Sequence, residues 1–192
     1  GVAPGVDRSI VWDAGTDLPN QEKDSMKIKL VVTNSYGNQG NPAESASFSV
    51  DTAAPVVSSV SATQTPGSAL VAINYTFADI STTTIEFDVS GDSGVTWTIP
   101  NTTVTGDIGV GQTAGTKTFN WNAADDFPGQ TSTTMRVRVR GLDNFGHIGG
   151  FAESLDFSIN AQVLSISNIT AVQTAGTQLV NIQYDLNMPA TI

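Results

Sequence analysis

The residues with the most chemistry to offer in this chain are carboxylates. Asp51, Asp125, Asp126 and Asp143 could supply Ca²⁺, a hard cation that takes several carboxylate and carbonyl oxygens, but no D-x-D-x-D-G loop organises them. His147 is the only histidine and there is no cysteine. A zinc centre, which draws on several Cys and His ligands, and a Ser-His-Asp triad therefore lack their parts. Arg136, Arg138 and Arg140 form an alternating stripe, matched upstream by Lys27 and Lys29. Such a stripe either binds an acidic polymer or is the solvated face of a sheet, and a run of three charges favours the solvated face. Trp12 and Trp121 could stack on sugar rings. Each follows an apolar residue by two positions (Ile10, Phe119), which puts the pair on one strand face and predicts core anchors. Asn74, Asn101 and Asn168 head N-x-T triplets, which matter only in a eukaryotic secretory pathway. The expectation is of no catalytic residues and no metal or cofactor, with calcium the one ion for which ligands are on offer.

These residues need a scaffold, and composition bounds it. Without cysteine no disulfide can staple the 192-residue chain, so each folded unit must rest on its own core. The formal net charge of −10 disfavours nucleic acid and anionic membranes as partners, since both are met by basic surfaces. Only 14% of residues are charged, and the abundance of Thr, Ser, Gly and Asn fits strands and turns. No apolar span is long enough for a membrane helix.

The chain repeats itself. Trp12 and Trp121 lie 109 positions apart in similar contexts, and the same offset pairs Asp17 with Asp126, Pro19 with Pro128, Met26 with Met135, Gly37 with Gly146 and Phe48 with Phe157. It continues further on, matching Gln64, Gly67, Val71, Ile73 and Tyr75 with Gln173, Gly176, Val180, Ile182 and Tyr184. A constant offset over two regions is the mark of a repeat architecture. Residues 55–160 make one complete unit, 1–54 the C-terminal part of a preceding one, and 161–192 the N-terminal part of a following one. The expectation is a fragment of a longer array. The short junctions Val50–Pro55 and Ile159–Gln162, the first stiffened by Pro55, predict an extended rod.

Within the complete unit, alternation of apolar and polar residues predicts strands at Val56–Ala62, Leu70–Phe77, Thr84–Ser90, Val95–Ile99, Lys117–Asn122, Met135–Arg140 and Phe151–Ile159. Val71, Ile73, Tyr75 and Phe77 form one predicted core face; Met135, Val137 and Val139 form another; Leu155, Phe157 and Ile159 close the unit. About seven short strands bounded by Gly, Pro, Asn or Asp, with no sustained 3.6-residue period, predict an all-β two-sheet sandwich.

One short motif stands apart. Ser90-Gly91-Asp92-Ser93-Gly94-Val95-Thr96-Trp97 fits S-x-D-x-G-x-T-W and resembles the Asp-box hairpin. The resemblance implies that Asp92 bonds backbone amides of its own turn, that Gly94 takes a positive φ and that Trp97 packs beneath the hairpin, with Ser90 and Thr96 completing a structural rather than catalytic unit. More broadly, this hairpin, the Phe119-x-Trp121 strand, the Asp126–Gln130 turn, the strand running from Met135 to Leu142 with Asp143-Asn144-Phe145-Gly146 after it, and the Val50–Pro55 junction resemble tandem Ig-like or fibronectin-III-like modules of bacterial extracellular proteins. That resemblance implies a non-enzymatic structural or adhesive module of a surface protein or fibre, partnered by neighbouring modules of the same protein. The alternative is a carbohydrate- or ligand-binding accessory module.

Overall fold

A computed structural model describes residues 2–187. Over the described residues the chain is all-β apart from two single-turn helices, and every sheet is antiparallel. Two sheets form the centre. One runs in the order β5 (Val56–Gln64), β6 (Leu70–Ala78), β10 (Gly115–Asn122), β8 (Val104–Gly106); the other runs β12 (Ala152–Glu153), β11 (Thr131–Asp143), β7 (Thr83–Ser90), β9 (Gly109–Gln112), with β13 (Phe157–Asn160) also paired to β11. Because side chains alternate across a strand, each sheet turns one apolar row inward. Val71, Ile73, Tyr75 and Phe77 of β6 and Phe119 and Trp121 of β10 meet Ile85, Phe87 and Val89 of β7 and Met135, Val137 and Val139 of β11 in a single buried core, giving a sandwich-like unit. Phe87 and Phe119 lie edge to face with ring centres 4.8 Å apart, a geometry that suits the ring quadrupoles. Tyr75 is buried in the same layer and donates its hydroxyl to the Asp107 carbonyl at 2.6 Å.

Several predicted elements are corrected. Val95–Ile99 is not a strand; only Ile99 makes an isolated bridge, to Val89, because Ser90 and Asp92 hold the local amides in a loop. Phe151–Ile159 is two short strands, β12 and β13, rather than one. Ser154 turns inward between them and exchanges bonds with the Val137 backbone, which shifts the alternation and leaves Leu155 exposed. Strands β8 and β9 were not anticipated, since Gly106, Gly109 and Gly111 interrupt any apolar alternation there.

Before β5 lie a single helical turn, α1 (Ala14–Asp17), and strands β1 (Glu22–Met26), β2 (Lys29–Leu30), β3 (Ala43–Glu44) and β4 (Phe48–Asp51), paired β1 with β4 and β2 with β3. After β13 comes the hairpin β14 (Ile166–Gln173) and β15 (Val180–Leu186). The second helical turn, α2 (Ala123–Asp126), follows β10. The 109-residue offset carries through in detail. It relates α1 to α2, β2 and β3 to segments of β11 and β12, β4 to β13, and the β14–β15 hairpin to β5–β6. The left-handed residues Ser59 and Asn168 at matching bulges obey it too. Trp12 is a correction: it is 37% exposed and outside the core, since the residues preceding it form no strand to share its face.

Candidate functional site

The junction between β4 and β5 brings together acidic groups from three places in the chain. Asp51 ends β4, Asp79 follows β6, and Asp143 ends β11 four residues before His147. Each is set by local backbone chemistry, in which a short Asp or Asn side chain accepts from amides two to four residues ahead. Asp51 Oδ1 accepts from the Ala53 N–H at 3.1 Å, and Asp143 Oδ1 accepts from the N–H groups of Phe145 and His147, both at 2.8 Å. Asp79 Oδ1 accepts from the Ser81 N–H at 2.6 Å, while the Ser81 hydroxyl donates to Asp51 Oδ2 and so links the two acids. His147 Nδ1 lies 2.6 Å from Asp143 Oδ2, with the Asp143 side chain fully buried. One ligand atom each from Asp51, Asp143 and His147 falls within 4.8 Å of the others.

The electrostatics are lopsided. Asp79 is 8% exposed, and its Oδ2 is buried without a hydrogen-bond partner. Burial raises its carboxyl to about 6; the Ser81 amide opposes this, and the charges of Asp51, Asp143 and Glu22 reinforce it. Burial works against ionisation of Asp143 as well, but bonds from the His147 ring and from the His147 and Phe145 amides hold it below the ordinary carboxylate value. Pro55 pins the junction. It is buried against β11 and the loop that follows it: a Cβ on Gly141 of β11 would lie 2.7 Å from the Pro55 Cβ, and one on Gly149 would lie 2.1 Å from the Pro55 carbonyl.

Of the acids named from sequence, Asp51 and Asp143 meet at this junction, whereas Asp125 and Asp126 lie in α2, where both serve local structure. Asp126 Oδ2 accepts from Trp121 Nε1–H at 2.8 Å and from the Thr103 N–H at 3.0 Å. Asp125 accepts from Asn122. Asp79 escaped notice because an acid just past a strand end reads as ordinary turn composition; only its burial sets it apart.

The other candidates resolve into structure. In the hairpin, Ser90 Oγ donates to Asp92 Oδ1 at 2.7 Å and accepts from the Gly94 N–H at 2.9 Å, while Asp92 accepts the Thr96 N–H and hydroxyl at 2.8 and 2.7 Å. These bonds, Ser90's first, hold the Asp92 carboxyl down to about 2. Gly94 has φ +87°. Trp97 is half-buried, with the Arg138 guanidinium 4.5 Å from its ring centre. The arginine stripe is engaged: Arg136 pairs with Glu153 and Asp156, Arg138 with Asp88 and Arg140 with Glu86, at 2.8–3.3 Å. Arg138 and Arg140 also cover the Phe151 ring. The partners follow from the strand register, which sets Arg138 opposite Asp88 and Arg140 opposite Glu86. Trp121 is fully buried in the core. No helix among the described residues is long and apolar enough to cross a membrane.

In comparisons with known proteins, no family model, no curated protein and no solved structure matches the chain.

Proposed function

We propose that this chain is a segment of a tandem array of Ig-like or fibronectin-III-like modules, and that it serves as a non-catalytic stalk, spacer or adhesive repeat of a long extracellular bacterial surface protein whose modules contact one another. The observation that carries this reading is the recurrence of side-chain bonding, not only of residue types, at the 109-residue offset. Trp12 donates to Asp17 at 2.6 Å and Trp121 to Asp126 at 2.8 Å. Gln64 donates to the Ser68 carbonyl at 2.8 Å and Gln173 to the Thr177 carbonyl at 2.9 Å. Asn34 and Asp143 close equivalent turns. What repeats is scaffold, the expected signature of an array selected for shape. The grouping of β5, β6, β10 and β8 against β12, β11, β7 and β9 supports the Ig-like reading, since the first sheet parallels ABED and the β7, β11 and β12 part of the second parallels CFG of constant-type sandwiches, with β9 an added edge strand. The charged side chains on the sheet face are occupied with one another, which favours a structural role over an acidic-polymer site.

The test is mechanical. A protein carrying several in-frame copies of residues 55–163, stretched as a single molecule, should unfold in equal steps of roughly 35–40 nm, the contour length of 109 residues at about 3.3–3.6 Å each. Unequal or absent steps would count against the array. Glycan binding that is lost in Trp12→Ala would favour the accessory-module alternative.

A further inference from the structure

The geometry points to a divalent-cation site at the first junction, formed by the carboxylates of Asp51, Asp79 and Asp143 and suited to Ca²⁺, which would tie the last strand of the preceding partial unit to the complete unit. The site stands on its own geometry; its consequence, a fixed angle between units, rests on the array reading.

Asp79 carries the proposal. One carboxylate oxygen, nine-tenths buried and without a hydrogen-bond partner, is a costly arrangement that a bound cation relieves. Through Ser81 this side chain is bonded into the same loop as Asp51, and it feels the charges of Asp51, Asp143 and Glu22. Spacing fits as well. Ligand atoms of Asp51, Asp143 and His147 lie within 4.8 Å of one another, so the Asp51 and Asp143 carboxylates stand close enough to share a calcium ion, whose opposite oxygens, each about 2.3–2.6 Å from it, are about 4.6–5.2 Å apart; Asp79 adjoins this pair through the Ser81 bridge. Among the described residues His147 is the one basic side chain paired with this group; the arginine ion pairs lie elsewhere. With its Nδ1 against Asp143 Oδ2, His147 orients that carboxylate, as imidazoles beside metal-binding acids commonly do. A cleft of about 510 Å³, lined by Asp24, Ser49, Asp51, Ser81 and Asn144, gives solvent ions a route to Asp51.

The repeat supplies an internal control. The turn that Asp143 caps is capped by Asn34 in the first unit, with amides at 3.0 Å. The turn that Asp51 makes at the first junction is made by Asn160 at the second, from the Gln162 N–H at 3.0 Å. An amide therefore suffices for both turns, and the negative charge needs another reason. In sequence, Met188 stands at the counterpart of Asp79. At each of the three counterpart positions the acid is replaced by a residue without charge.

The experiment uses the full chain, stripped with chelator and titrated with CaCl₂ by calorimetry and thermal unfolding. Saturable binding of one Ca²⁺ per chain with a rise in Tm is expected, weakened at least tenfold in Asp79→Asn and in Asp51→Asn and unchanged in Asp125→Asn. Circular dichroism checks each variant's fold, and Asp51→Asn, at a half-buried position, carries the test if Asp79→Asn misfolds. Absence of binding at millimolar Ca²⁺, Mg²⁺ and Mn²⁺, or full affinity in both variants, would overturn the site. Zn²⁺ binding lost in His147→Asn, with no Ca²⁺ binding, would overturn the oxygen-ligand assignment. A chain that binds Ca²⁺ although its concatenated units unfold in unequal steps would retain the site and lose the array.

Discussion

The sandwich of residues 55–160 and the segments on either side of it put side chains related by the 109-residue offset in opposite environments. Val71, Ile73 and Tyr75 are sealed in the core, while their counterparts Val180, Ile182 and Tyr184 are exposed. Met135, Val137 and Val139 are fully buried, whereas Ile28 and Leu30 are open to solvent. Trp121 is 0% exposed and Trp12 is 37%, yet both make the same indole-to-carboxylate bond. Local bonding thus survives without the second sheet, whereas burial does not. The hairpin, the caps and the helical turn are written in short stretches of chain, but stability requires two apolar sheet faces to meet. The complete unit should accordingly supply most of the cooperative stability of this chain.

Substitutions at matched positions sharpen that contrast. Trp121→Ala should cost ~3–5 kcal/mol by loss of buried contacts and a residual cavity, while Trp12→Ala should cost under ~1 kcal/mol for a half-exposed ring; urea unfolding followed by circular dichroism compares them. Similar losses would indicate that the first unit has a core of its own. Gly149→Ala, which drives a Cβ onto the Pro55 carbonyl, should destabilise by ~2–3 kcal/mol or more. At the equivalent position Gly40→Ala meets the Val32 side chain at 3.0 Å and its carbonyl at an ordinary 3.8 Å, and should shift the urea midpoint little.

Asp126→Ala should cost ~1–3 kcal/mol, because it strands the Trp121 indole N–H and the Thr103 amide. Asp17→Ala removes a single exposed bond and should fall within ~0.5 kcal/mol of wild type.

The junction responds to pH. Asp79 is raised to about 6 in the folded chain, from an ordinary carboxylate value near 4. The folded state therefore holds this proton more tightly across that window, and in chelator its contribution to stability is greatest below about pH 4 and declines as pH rises through 6, by at most ~1.4 kcal/mol per unit. Asp79→Asn should flatten that slope, measured as Tm against pH. The smallest effect is expected at the sheet face, where Arg140→Ala removes an exposed pair with Glu86 and should cost no more than ~1 kcal/mol.

Much of this was legible in particular residues. The alternations of Leu70–Phe77 and Met135–Arg140 identify β6 and the middle of β11 because a sheet with one buried face demands a period of two. Other features were not legible. Ser154 turns the chain inward by trading bonds with Val137 across the sheet, and no local pattern announces that. Strands β8 and β9 are held by their neighbours rather than by propensity, since their glycines bring little β preference. The candidate site was half visible: Asp51 and Asp143 offered oxygens, but Asp79 was missed, because its unusual property is burial.

The sequence by itself determined what is periodic and local: the all-β character, the 109-residue repeat, the apolar rows and the turns closed by neighbouring Asp, Asn, Ser and Gly. Interactions over a few residues depend on residue order alone. The tertiary structure decided which rows are buried, which acid faces each arginine, and that Asp51, Asp143 and His147 meet with Asp79 tied in through Ser81. Those outcomes depend on strand register and on strand ends brought together across tens of residues, where a one-residue slip reverses every side chain.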